Sequence, residues 1–143
     1  MTIALIDDQL LAQVLRGRTP KSIASKELYT TGYWYVRLCQ AVLGANQRKG
    51  VLSRPFAELS PPLRDRALNS LLELPDEIGL ISLRDLGPTI AQMREFHQLN
   101  ILGIEALAAA NHLRAHVFLS ATSPLLERAL MHENLTVKVT RPK

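Results

Sequence analysis

The sequence is poor in cysteine and aromatic residues, with one cysteine and seven aromatic residues in 143 positions. Cys39 has no partner for an internal disulfide, which favours a reducing, cytoplasmic setting. No apolar run approaches the ~20 residues of a membrane-spanning helix, so no membrane association is expected. The N-terminal segment MTIALIDDQL has two acids by position 8 and no basic start, which is not typical of a secretory signal. The Cys and His spacings also exclude a conventional structural zinc site.

Enough hydrophobic residues remain to build a core. They make up 47% of the chain and charged residues 21%, which excludes a disordered chain and is typical of a globular protein. The length favours one domain, residues 1–143.

Positive charge is concentrated in the first third of the chain. Residues 1–54 contain eight basic and three acidic residues, whereas residues 55–143 contain nine and ten. This asymmetry suits a polyanionic partner such as RNA. The alternative is a merely solubilising surface, since an excess along the sequence is not yet a patch in space.

Short apolar segments alternate with helical patterns along the sequence. Strands are predicted at residues 2–6, 78–82, 116–120 and 136–140, and residues 18–28 as a loop or a short helix. Helices are predicted from the Asp7-Asp8 pair to Gly17 and at residues 31–43, 61–72, 83–93, 101–113 and 124–132. The segment GANQRKG at residues 44–50 is predicted as an exposed loop. The order predicts a three-layer α/β/α sandwich with a mainly parallel sheet of four or five strands.

Polar residues follow directly after two of the predicted strands. Asp7 and Asp8 follow the first strand, and Ser120 and Thr122 lie at the end of the strand beginning at His116. Ligands of open parallel sheets bind beyond the carboxyl ends of the strands. This edge is therefore the expected position of a functional site.

The order of these segments resembles the PIN-domain family. The opening IALID is similar to that family's first strand and first acid. The segment LGIEALAAA at residues 102–110 is similar to its acid before a small-residue helix, and HVFLSAT at residues 116–122 to the following strand and Thr-x-Asp turn. The resemblance implies a ribonuclease dependent on Mg²⁺ or Mn²⁺ that acts on single-stranded RNA. It also implies a toxin–antitoxin setting, with an antitoxin-like protein partner or a homodimer.

Only part of the family's acidic cluster is present. The resemblance assigns Asp7 and Glu105 as catalytic residues and metal ligands, with Asp8 as a possible further ligand. The early helix, residues 31–43, has no acid where the family has one, and Thr122 or Ser123 stands at the fourth position. Two carboxylates can still hold Mg²⁺ when substrate phosphates complete its coordination. A weak or specialised ribonuclease is therefore one interpretation, and a degenerate module that binds RNA or a protein without cleavage is the other.

Basic and aromatic residues on the early helix are candidates for RNA contacts. Arg37 could bind a phosphate, or could pair with Asp7 or Glu105 in place of a metal ion. Tyr33 shares its helix face and could stack on a base, whereas Trp34 is predicted to lie in the core. Ser120 and Thr122 would help to position water or a phosphate.

Each acidic candidate also has a purely structural interpretation. Asp7 and Asp8 could only cap the first helix. Glu105 could lie on an exposed stripe with His112, although burial of an unpaired Glu is rare. The four histidines are scattered in the sequence, and none is predicted to be catalytic.

Overall fold

A computed structural model describes residues 2–44 and 50–140 of the protein, which form an α/β/α sandwich around one parallel sheet. The strands are β1 (Ile3–Ile6), β2 (Glu27–Thr30), β3 (Ile78–Leu80), β4 (His116–Leu119) and β5 (Val137–Val139). The described helices are α1 (Asp8–Leu15), α2 (Lys21–Ala24), α3 (Gly32–Leu43), α4 (Arg54–Ala57), α5 (Pro61–Leu72), α6 (Leu83–Arg94), α7 (Ile101–Leu113) and α8 (Pro124–His132). The predicted fold class is confirmed.

The strand order is β3-β2-β1-β4-β5, and every neighbouring pair is parallel. The chain builds outward from β1 in one direction through β2 and β3, and in the other through β4 and β5. The order therefore reverses between β1 and β4. In open parallel sheets such a reversal leaves a crevice at the carboxyl ends of the two strands.

Alternating side chains of β1 divide the core into two halves. Ala4 and Ile6 pack on one side of the sheet with α1 and α5, whereas Leu5 packs on the other with α7 and α8. Helix α3 contributes to both halves, since Leu38 lies in the first and Trp34 in the second. The prediction that Trp34 belongs to the core is confirmed, because its side chain is buried.

The ends of helix α1 follow the capping signals in the sequence. The Asp7 carboxylate accepts a hydrogen bond from the Leu10 N–H at 3.0 Å, so Asp7 is the N-cap and Asp8 the first helical residue. Gly17 ends the helix with a φ of +78°, a conformation that L-residues rarely adopt. None of the described helices is long and apolar enough to cross a lipid bilayer.

The prediction for residues 18–28 was incomplete. The short helix α2 forms there, but the chain then enters strand β2, which was not predicted. Glu27 is exposed and the next two residues are only half-buried, so the apolar signal is weak. Parallel pairing with β1 and β3 stabilises this strand instead. The four-residue helix α4 was also missed, and residues 45–49 of the predicted exposed loop lie outside the described residues.

Close packing between β2 and β3 requires a glycine at position 79. Gly79 is opposite Tyr29 in the register, and a Cβ built there would lie 2.6 Å from the Tyr29 Cδ2 atom. Gly79→Ala should therefore destabilise the protein by about 1–3 kcal/mol, as overpacking does, in chemical denaturation. In a Tyr29→Ala background the same substitution should cost much less. An equal cost in both backgrounds would show that the ring is not the obstacle.

Candidate functional site

An open cleft of about 580 Å³ lies at the carboxyl edge of the sheet, where the strand order reverses. We call it the edge cleft. Its polar lining includes Asp7, Asp8, Arg37, Asn100, Ser120 and Thr122. Of the residues singled out from the sequence, the fold brings Asp7, Asp8, Arg37, Ser120 and Thr122 together at the cleft, but not Glu105 or Tyr33.

Asp7 ties the two central strands together at this edge. Its Oδ2 atom accepts hydrogen bonds from the Ser120 N–H at 2.8 Å and from the Ser120 hydroxyl at 2.6 Å. Its Oδ1 atom caps helix α1. Burial raises the pKa of Asp7 above its ordinary value, while the Ser120 and Leu10 donors act in the opposite direction. The carboxylate therefore both supports the fold and lines the edge cleft.

Asp8 has fewer partners than Asp7. Its Oδ1 accepts a hydrogen bond from the Gln9 N–H at 2.8 Å, and its Oδ2 faces the Arg37 Nε at 3.6 Å. Burial and the neighbouring Asp7 carboxylate raise the pKa of Asp8, and the Arg37 guanidinium only partly offsets this. Within the described residues, the Arg37 guanidinium pairs with Asp8 and not with the adjacent Asp7, and the Arg37 side chain is 58% exposed. The predicted pairing of Arg37 with Asp7 or Glu105 is wrong within the described residues, because its ion pair is with Asp8, which was not predicted.

Glu105 lies outside the edge cleft, among buried residues of α7. The alternative of an exposed stripe with His112 is wrong, because Glu105 is completely buried while His112 is exposed. Its two carboxylate oxygens accept hydrogen bonds from the N–H groups of Gly32, at 3.2 Å, and Tyr33, at 2.9 Å. These are the first residues of α3, whose unpaired N–H groups and positive dipole favour a carboxylate. Glu105 therefore anchors α3 onto α7.

Tyr33 does not line the cleft, and its ring is half-buried. Ser120 is buried by its contacts with Asp7, whereas Thr122 is exposed at the mouth of the cleft. Helix α8 starts beside Thr122, and the Glu127 carboxylate accepts a hydrogen bond from the Ser123 N–H at 2.7 Å.

Sequence reasoning did not assign Gln9 and Asn100 to the site, although both line it. Asn100 was recognisable as a helix cap, and its Oδ1 does accept the Gly103 N–H at 2.8 Å. The N-cap residues of helices α1, α7 and α8 all line the cleft. Their N-termini contribute partial positive charge there.

The raised pKa of Asp8 gives a pH dependence of stability with a definite sign. A carboxyl whose pKa is raised on folding binds its proton more tightly in the folded state, so stability falls as pH rises from 3.8 through the folded pKa. Asp8→Asn cannot ionise, and its amide oxygen can still accept the Gln9 N–H. We expect the variant to gain stability relative to wild type as pH rises across this window.

The measurement is the free energy of unfolding of both proteins between pH 3.5 and 7 (roughly the span over which buried carboxyls titrate). Asp85→Asn, which changes an exposed carboxylate in the first turn of α6, is the matched control. A wild type that becomes more stable than Asp8→Asn with rising pH would contradict the assigned direction.

The sequence matches no protein-family model and no curated protein significantly.

Proposed function

We propose that the protein is a PIN-like, weak or specialised ribonuclease that uses Mg²⁺ or Mn²⁺ and acts on single-stranded RNA in the edge cleft. The observation that carries this proposal is the pair of neighbouring buried carboxylates that line the edge cleft. Asp7 and Asp8 are adjacent and buried, and among the described residues the Arg37 guanidinium pairs with Asp8 alone, at 3.6 Å. A hard divalent cation with a preference for oxygen ligands would relieve this repulsion.

The donor set of the cleft fits such a cation in part. Among the described contacts, Asp8 Oδ2 is the least occupied carboxylate oxygen of the cleft, because its partner Arg37 is beyond ordinary hydrogen-bond distance. Asp7 accepts bonds on both oxygens, but each oxygen can accept more than one. Asp7 and Asp8 would hold the ion, and substrate phosphates would complete its shell. When bound, the ion supplies an ionised water and neutralises charge that develops on the phosphate.

The remaining groups of the cleft suit the positioning of a phosphodiester. Arg37 extends from α3 with more than half of its side chain exposed, so it can reach a phosphate from the mouth of the cleft. The N-termini of α1, α7 and α8 add partial positive charge on the inner side. The Thr122 hydroxyl is exposed beside them and can donate to a phosphate oxygen or to water.

The test is a calorimetric titration of the full chain with Mn²⁺, followed by cleavage of a fluorescein-labelled single-stranded RNA. Wild type should bind one ion, and Asp8→Asn should weaken binding by about tenfold or more, the worth of one charged interaction. RNA cleavage by wild type should require Mn²⁺. In Asp8→Asn the cleavage rate should fall together with the affinity for Mn²⁺. Asp85→Asn, outside the cleft, should change neither.

The variant Glu105→Gln tests whether Glu105 binds the metal ion or only anchors helix α3. If Glu105 only anchors α3, this variant should lower the free energy of unfolding by about 1–3 kcal/mol and leave Mn²⁺ affinity within a factor of about two. No saturable Mn²⁺ binding by wild type, together with no cleavage in the presence of Mn²⁺ and RNA, would reject the ribonuclease proposal.

A second candidate function is a degenerate PIN-like module that binds RNA without cleaving it. It is favoured by Glu105, whose carboxylate is engaged by two backbone N–H groups, and by Arg37, which stands on the helix where a further acid would be expected. In this alternative Arg37 and the helix N-termini hold phosphates, while Asp7 serves the fold.

For this module we expect RNA affinity to fall with salt, and Arg37→Ala to weaken binding about tenfold, the worth of one charged hydrogen bond. The slope of log affinity against log salt should become shallower by about 0.7 for each phosphate of a single strand that the variant no longer binds. Arg66→Ala removes an exposed cation from α5 and should have no such effect. Equal effects of the two substitutions would contradict binding in the cleft.

A further inference from the structure

Two histidines and one glutamate converge at the C-terminal end of helix α8, away from the edge cleft. His97 follows α6, while His132 is the last residue of α8 and Glu133 its C-cap. Helix α8 begins at the cleft with Ser123 and ends at this cluster, a span of about 13 Å for nine residues. The cluster is therefore separate from Asp7 and Asp8.

The three side chains meet at a single carboxylate oxygen. Glu133 Oε2 lies 2.9 Å from His97 Nε2 and 3.3 Å from His132 Nδ1. One nitrogen from each ring and one glutamate oxygen all lie within 4.8 Å of one another. The two rings are edge-on to each other, with centroids 5.3 Å apart, so their ring nitrogens can approach one point without a ring clash.

The two distances from the imidazole nitrogens to Glu133 Oε2 are close to the spacing that a bound zinc ion requires. Zn–N and Zn–O bonds of ~2.0–2.2 Å in a tetrahedron place neighbouring ligand atoms about 3.4 Å apart. The two distances to Glu133 Oε2 are already near that value. His132 has a 73% exposed side chain, so it can adjust its position, whereas His97 is held with only 10% exposure.

We propose that His97, His132 and Glu133 form a binding site for Zn²⁺ or a similar borderline divalent cation. Two imidazole nitrogens and one carboxylate suit zinc, cobalt or nickel rather than Mg²⁺, which prefers an all-oxygen shell. Three protein ligands leave a fourth position for water. That position has access to solvent, because His97 and His132 also line an open groove of about 290 Å³ with Leu99 and Leu125. The site would clamp the segment after α6 to the end of α8.

No residue spacing in the sequence points to this site. His97 and His132 are 35 positions apart, and neither lies in a short Cys/His motif. The segment between α6 and α7 places His97 against the end of α8, and this tertiary contact brings the three ligands together.

The test is a calorimetric titration of the full, untagged chain with Zn²⁺, supported by the visible absorption of Co²⁺ bound in its place. Wild type should bind one equivalent of Zn²⁺ saturably. His132→Ala and Glu133→Gln should each weaken this binding at least tenfold and abolish the Co²⁺ spectrum. His132 is exposed, so its replacement should leave the fold intact, which far-ultraviolet circular dichroism verifies.

His112→Ala is the matched control, because His112 is an exposed imidazole on α7 outside the cluster. It should leave Zn²⁺ affinity unchanged, and so should Asp8→Asn in the edge cleft. The proposal is overturned if wild type shows no saturable Zn²⁺ binding, if His132→Ala binds as tightly as wild type, or if His112→Ala weakens binding as much as His132→Ala.

Discussion

The bond between Asp7 and Ser120 fixes the carboxyl edge of the sheet. The two residues follow the central strands β1 and β4, and they are joined by two hydrogen bonds to one carboxylate oxygen across 113 positions of sequence. Beyond the last paired residues of these strands, Ile6 and Phe118, the buried Asp7 carboxylate provides a further link between them. The same side chain sets the start of α1 through the Leu10 N–H. Asp7 therefore links the end of β4 to the start of α1 at the edge cleft that it lines.

Carboxylate and amide side chains at this edge accept hydrogen bonds from the N-termini of helices. Asp7, Asn100, Glu105 and Glu127 each accept backbone N–H groups at the start of a helix. A parallel α/β sandwich directs several helix N-termini toward the carboxyl edge of its sheet, so it creates many unpaired donors there. Acidic residues are stable in such a place even when they hold no ligand. An acid at the edge of the sheet is therefore weak evidence of catalysis until its hydrogen-bond partners are counted.

Local sequence signals were sufficient for most of the fold. The predicted helices at residues 61–72, 101–113 and 124–132 begin at Ser-Pro or Asn caps, and their observed bounds agree with the prediction. Strand β2 was missed because its stability comes from neighbours on both sides rather than from its own apolar pattern. The grouping of Asp7, Asp8, Ser120 and Thr122 at one edge could be predicted, since strand ends in a parallel sheet coincide. The position of Glu105 under α3 could not, because it depends on how α7 packs against that helix.

Asp8 differs from the other acids because it caps no helix. Asp7, Glu105 and Glu127 each stabilise a helix start, whereas among the described residues Asp8 accepts a hydrogen bond only from the adjacent Gln9 N–H and faces an exposed guanidinium at 3.6 Å. Its burial beside another carboxylate raises its pKa, which means that its ionised form destabilises the folded protein. A neutral side chain of the same shape would serve the fold better. Groups whose charge opposes stability are concentrated at functional sites, and Asp8 is the residue of the edge cleft for which structure alone gives the weakest justification.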